Sequence, residues 1–417
     1  MASPNRRAMI LLLVLSGTII SICMGLRQSL GLFMRPMTLD TGISAASFGF
    51  AIALQNIVWG LSQPFVGALA DKHGARPILV WTALAYAAGL LLMVFTRSEL
   101  GLDAAGFLLG IGTSGTAFGV LMGVVTRATP PERQSQTVGL VAAAGSLGTL
   151  LLAPLGQAMI DAYGWQGAMV AFACIASSMA LFALPIRNLA IELKAEPAAK
   201  VSTPGARQQT LGEALREATG HRGYLFMTLA FFACGFQLVF LTTHLPAYLQ
   251  LCGVAPGVSA TALGLIGFFN TIGTYCFGQL GARYSQKHLL ALIYILRTLF
   301  IIAFLAIPIS ATTTLIFAAA MGMLWLGVSP LVTGIIARVF GLTHFGTLYG
   351  VVFLSHQVGS FFGAWMGGLV FGWYGSYNAA WGALIVIGLT AFTLQWLMDD
   401  RPPAVRASAA GALPAAA

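Results

Sequence analysis

Charge is what this chain has least of. Asp, Glu, Lys and Arg together make up 8% of its 417 residues, against 58% hydrophobic. A water-soluble domain carries roughly 25% charged residues, so a soluble enzyme or binding module is excluded and a polytopic membrane protein is implied. Acid is the scarcer sign: 12 acidic residues stand against 21 basic ones. None of the acids lies deep in an apolar run; Asp40, Asp103 and Asp161 fall at run ends. Cysteine is sparse too. Cys23, Cys174, Cys234, Cys252 and Cys276 are scattered through apolar runs, without the spacing of a zinc site or a disulfide framework, and read as small packing residues. Missing altogether are a GxSxG elbow, an HExxH pair, a P-loop and paired intramembrane carboxylates, so no enzyme, cofactor or metal is expected. Gly112-Thr113-Ser114-Gly115 reads as close helix packing, not as a nucleophile site. The basic lead Met1–Arg7 precedes a run without a small-residue cleavage site, so no cleavable signal peptide is expected.

What is present is apolar sequence in lengths matched to a bilayer. Runs near 9–34, 44–70, 76–96, 102–126, 135–161 and 165–185 are followed, after a polar stretch, by 224–250, 258–281, 288–308, 313–338, 347–373 and 377–398. Each can cross ~30 Å of hydrocarbon, which takes about 20 helical residues. Lipid offers backbone groups no water, so spans of this composition are helices. The expected fold is therefore all-α: 12 transmembrane helices in two six-helix bundles. The expected division is an N-terminal segment 1–8, a first bundle 9–185, a linker 186–223, a second bundle 224–398 and a disordered tail 399–417. Within the linker, LGEALREATG at 211–220 has the pattern of a short amphipathic surface helix. All but four of the 21 basic residues fall on the side that holds both termini. The exceptions are Arg35 and Arg97 in outer loops and Arg27 and Arg297 within spans. By the positive-inside rule that side is cytoplasmic. This spread over short loops also argues against a nucleic-acid partner.

The chain repeats. Sliding it by 211 positions lays Gly67 on Gly278, Leu69 on Leu280, Lys72 on Arg283 and Arg76 on Lys287. The same register lays Gly139 on Gly350, Gly148 on Gly359, Gly156 on Gly367 and Gly164 on Gly375, while Asp71 meets Ala282. Duplicated halves of this kind imply two six-helix bundles related by an axis along the membrane normal.

A charged group at the bilayer centre costs about 2.5–3.5 kcal/mol on insertion scales, so the exceptions mark where function is sought. They are Arg27, His244, Arg297 and His356. An interior with cationic or titratable groups and no acid of its own should attract an organic anion. Arg27 can fork onto a carboxylate, with snorkelling to headgroups as the bland alternative. His244, two residues before Pro246, and His356 are candidates for proton coupling because imidazole titrates near neutrality; the alternative for each is structural packing. Gln28, Asn56 and Asn270 could orient a carboxylate, and Trp325 and Phe353 could form an apolar wall. Arg297 is expected to be structural, bonding carbonyls of neighbouring helices.

The loop after the second run, GALADKHGARP, fills a G-x-L-x-D-[RK]-x-G-x-[RK] pattern with Gly67, Leu69, Asp71, Lys72, Gly74 and Arg76. It resembles the loop between helices 2 and 3 of the major facilitator superfamily. The resemblance covers about residues 9–398 and implies alternating access, with Gly67, Asp71, Lys72, Gly74 and Arg76 locking a cytoplasmic gate. The stretch Arg27-Gln28-Ser29-Leu30-Gly31-Leu32-Phe33 is similar to the first helix of the monocarboxylate transporter and oxalate/formate antiporter group. That similarity implies that Arg27 meets a substrate carboxylate; a helix-7 histidine resembling His244 occurs in bacterial members. Asn270 fits the group's helix-8 pattern, but Thr274 stands where the group carries an arginine. The expectation is a secondary transporter of a small organic monocarboxylate, with a proton, in a bacterial inner membrane, where a monomer suffices. Carboxylate exchange, a drug or amphiphile exporter, and a membrane sensor are the alternatives.

Overall fold

The computed structural model describes residues 4–129, 134–186, 188–189, 193, 210–341 and 344–401. The expected tail beyond Arg401 and most of the linker lie outside these residues. Among the described residues every regular element is helical. The first crossing is α1 (Pro4–Ser29) continued by α2 (Gly31–Thr41), and α3 (Ala45–His73) and α4 (Ala75–Phe95) follow. The fourth crossing is again broken, into α5 (Glu99–Thr116) and α6 (Phe118–Ala128). The long α7 (Gln134–Ala183) holds two crossings joined at Gly164, whose φ of 72° is open to glycine at little cost. Then come α8 (Leu211–Gly220), α9 (Arg222–Leu251), α10 (Pro256–Arg283), α11 (Gln286–Ala306), a broken pair α12 (Ala311–Leu324) and α13 (Val328–Phe340), α14 (Phe345–Tyr374) and α15 (Asn378–Leu397).

Among the described residues, ten stretches are long and apolar enough to cross a membrane. One of them, Ala143–Ala183, is the folded α7 and counts as two. The 30-residue α14, made less apolar by its glycines, His356 and Gln357, supplies the remaining crossing. Twelve crossings result. Large apolar side chains such as Trp81 (74% exposed) and Phe65 (72%) point outward, as surfaces bathed in lipid do and water-facing ones seldom do. Helix starts are capped by short polar residues. Ser44 accepts from the Ser47 amide, and Thr210 with Glu213 forms a capping box that opens α8.

The repeat of 211 positions is built into the backbone. Gly42 and Gly253, and Gly164 and Gly375, form two pairs at that separation, and all four carry left-handed φ. Close packing repeats as well. Gly148 of α7 lies on the backbone of Ser21, and Gly359 of α14 lies on the backbone of Phe232. Both members of each contact are shifted by the same 211 positions. A side chain at either glycine would collide with a carbonyl. The two halves are thus separate copies of one helix–helix arrangement, each with its fifth crossing pressed on its first.

Between the halves, contact runs from one end as far as mid-helix, where Gly60 meets Gln357. Gly31 abuts Thr242, Gly49 abuts Ala364, and Gly368 abuts Ala45. Gly267 meets Ser146 and Thr149. Arg35 donates to Gln250 at 3.4 Å. Towards the end that carries both termini, the pairs part. Gly67 of α3 and Gly346 and Gly350 of α14 have nothing within 4 Å of where a side chain would begin. The molecule is therefore closed at one face and open between its halves at the face of the termini.

Candidate functional site

Arg27 stands where the halves separate. It is carried on α1, and its guanidinium lies over the Trp59 ring of α3, 5.0 Å from the centroid. Its Nη2 donates to Asn56 Oδ1 at 2.5 Å, and Asn56 Nδ2 donates back to the Ile52 carbonyl at 2.7 Å. Asn56, Trp59 and Gln63 recur every third to fourth residue and so share one face of α3. The indole N–H of Trp59 donates to Gln63 Oε1 at 2.6 Å, which fixes the ring. Arg27 Nε is buried and has no partner. The ion pairs among the described residues join Arg97 with Asp40, Arg127 with Asp71 and Arg338 with Asp400. Arg27 is in none of them. A cation has been brought into the interior and met by an amide and a π-face, neither of which cancels its charge.

The other half contributes α14. Gln357 Nε2 donates to the Asn56 carbonyl at 2.9 Å. Phe353 meets the Trp59 ring edge-on at 5.5 Å, and His356 lies parallel to Phe353 at 6.0 Å. His356 Nδ1 donates to Gln357 Oε1 at 3.1 Å. Arg27, Asn56, Phe353 and His356, four of the residues singled out in the sequence, therefore converge. Gln28, next along α1, donates to Thr149 of α7 at 2.8 Å and lies beside this group. Trp59, Gln63 and Gln357 belong to it as well and were not foreseen. The spacing of Asn56, Trp59 and Gln63 was the available signal.

The remaining candidates lie elsewhere. His244 is fully buried; its Nε2 donates to the Ala364 carbonyl at 2.6 Å, and Nδ1 accepts from the Tyr377 hydroxyl at 3.4 Å. Asn270 donates to Ser146 at 2.8 Å across the two halves and accepts from the Leu326 amide at 2.9 Å. That amide lies in the break between α12 and α13, beside Trp325. Arg297 closes the same break: its Nε donates to the Leu324 carbonyl at 3.1 Å, and its Nη2 reaches the Leu324 and Trp325 carbonyls. Asn270, Trp325 and Arg297 thus form a second cluster that holds an interrupted helix. Of the residues expected to form a gate, Gly74 (φ 88°) makes the turn from α3 to α4, Lys72 is exposed, and Asp71 pairs with Arg127 of α6 at 3.1 Å.

A chain whose repeated halves close at one face and part at the other around a buried cation has the construction of a carrier. The sequence profile of the Major Facilitator Superfamily matches residues 9–351. The chain belongs to the major facilitator superfamily. As members of that superfamily are transporters, it is a transporter and not an enzyme. Among its relatives, the uncharacterised MFS-type transporter YcxA of Bacillus subtilis is 26% identical over 88% of this chain and 89% of its own length. The oxalate:formate antiporter of Oxalobacter formigenes is 24% identical over 93% and 91%. Monocarboxylate transporter 13 of Rattus norvegicus is 24% identical over 88% and 84%. A solved structure of a bacterial homologue of the human lysosomal transporter Spinster, inward-facing and unoccupied, superposes with a TM-score of 0.75 at 14% identity. It covers 96% of this chain and 99% of that one, and at that identity the likeness is one of fold. In this superfamily member, then, Arg27 occupies the place where the halves meet and part.

Proposed function

We propose that this transporter carries a small organic monocarboxylate, of the class that includes lactate and pyruvate, across a bacterial cytoplasmic membrane by alternating access, together with a proton. The observation that carries the reading is Arg27: an interior guanidinium with a buried, unpartnered Nε and no carboxylate in reach among the described residues. A substrate carboxylate would supply the absent charge and bond the free donors, an exchange that a neutral or cationic solute cannot make. The names of the relatives from Oxalobacter and rat agree with a carboxylic acid as cargo. The basic end of the bundle, which carries both termini, is taken as cytoplasmic, so the opening seen here is the inward-facing one. His356, linked to Arg27 through Phe353 and Trp59, is the imidazole to which this reading assigns the coupling of proton and anion. His244, enclosed between Ala364 and Tyr377, is positioned to fasten α9 to α14.

The test is uptake of labelled monocarboxylate into proteoliposomes. Arg27→Ala should abolish uptake while the variant remains folded, and normal transport by it would refute the anion site. An inwardly directed proton gradient should drive accumulation, and His356→Ala should blunt it. Should uptake ignore pH, exchange of the oxalate–formate kind is the reading that takes its place.

A further inference from the structure

The rings around Arg27 form a continuous surface. Phe345, Tyr349 and Phe353 follow one another at four-residue intervals and so occupy one face of α14. Their planes run nearly parallel: Phe345 to Tyr349 at 6.0 Å and 7°, and Tyr349 to Phe353 at 6.2 Å and 21°. His356 extends the row at 6.0 Å and 5°, and Trp59 joins it to the guanidinium. Phe345, Tyr349 and Phe353 pack against the core but each keeps part of its surface exposed. The ladder begins at the open end of the bundle and stops at the cation. The row thus leads from the end of the termini towards Arg27 with some of its aromatic surface still uncovered.

We propose that, among monocarboxylates, this site selects those whose carboxylate is joined to a flat aromatic body. The inference rests on the carboxylate reading above and extends it to the rest of the substrate. Aromatic rings bury 150–250 Å² each and pair with offset or edge-on partners. A two- or three-carbon acid satisfies Arg27 but leaves the exposed parts of Phe353 and Tyr349 uncovered. An aryl acid covers them while its carboxylate takes the free guanidinium donors. The apolar gain is large enough to set the preference.

Calorimetric titration of the purified full-length chain with phenylacetate, acetate and benzyl alcohol separates the possibilities. Phenylacetate should bind at least about tenfold more tightly than acetate, and benzyl alcohol should give no detectable heat. Phe353→Ala and Tyr349→Ala should each reduce that ratio severalfold. Acetate binding as tightly as phenylacetate overturns the aromatic preference and leaves the anion site standing. So does an unaltered ratio in both variants when they melt at the wild-type temperature. If neither variant folds, the wild-type ratio decides. Benzyl alcohol binding as well as phenylacetate, or neither acid binding, overturns the carboxylate reading together with this one.

Discussion

At the scale of single residues, two arginines show opposite ways of keeping a cation inside a membrane protein. Arg297 is fully buried and spends its donors on Leu324 and Trp325 carbonyls, the negative end of a terminated helix. Arg27 is held by one amide and one ring and keeps a donor in reserve. Substitution should distinguish them. Arg297→Met orphans two buried carbonyls at about 1–3 kcal/mol each, so the thermal unfolding midpoint of the purified protein should fall sharply. Arg27→Lys should leave that midpoint nearly unchanged. It keeps the charge but loses the planar fork, and carboxylate affinity by calorimetry should drop about tenfold or more. A destabilised Arg27→Lys protein with wild-type affinity would reverse the two assignments.

At the scale of elements, the crossings that pack most tightly do so through glycine. Gly148 and Gly359 allow α7 onto α1 and α14 onto α9 with backbone in contact. Lipid gives helices no hydrophobic reason to associate, so close van der Waals contact must supply it. Gly148→Leu and Gly359→Leu should each cost the same kind of defect, a collapse of monodisperse yield in detergent gel filtration, because the contact is duplicated. One variant behaving like wild type would show that the two halves do not share this dependence. The broken crossings have a related logic. Interruptions at Ala117 and at Trp325 to Gly327 occur in the fourth crossing of each half, and in the second half Arg297 and Asn270 bond the freed backbone groups.

At the scale of the whole molecule, the chain is closed at the face away from the termini and open at the other. The loop expected to act as a gate keeps to its own half: Asp71, well exposed, pairs with Arg127. An exposed pair of this kind contributes only ~0–1 kcal/mol. Asp71→Asn should therefore leave thermal stability within experimental error yet, on the expectation that the loop gates that face, slow transport severalfold. Equal loss of stability and transport would place the role of Asp71 in folding instead.

The fold was largely legible in the amino-acid order because the bilayer imposes it. Length, scarcity of charge and absent hydrogen-bond partners leave helices of one size, and the shift of 211 positions exposed the duplicated halves that Gly42 and Gly253 later mark in the backbone. Arg27 was legible for the same reason, since an ionic group is costly there. What the sequence could not decide was which of its polar residues meet. Hydropathy places a residue at a depth, but lipid and protein interior are equally apolar, so it does not say which way a helix faces. Only packing put Trp59 and Gln357 beside Arg27, sent Asn270 and Trp325 to the helix break, and closed His244 against Ala364 while leaving His356 in line with Phe353.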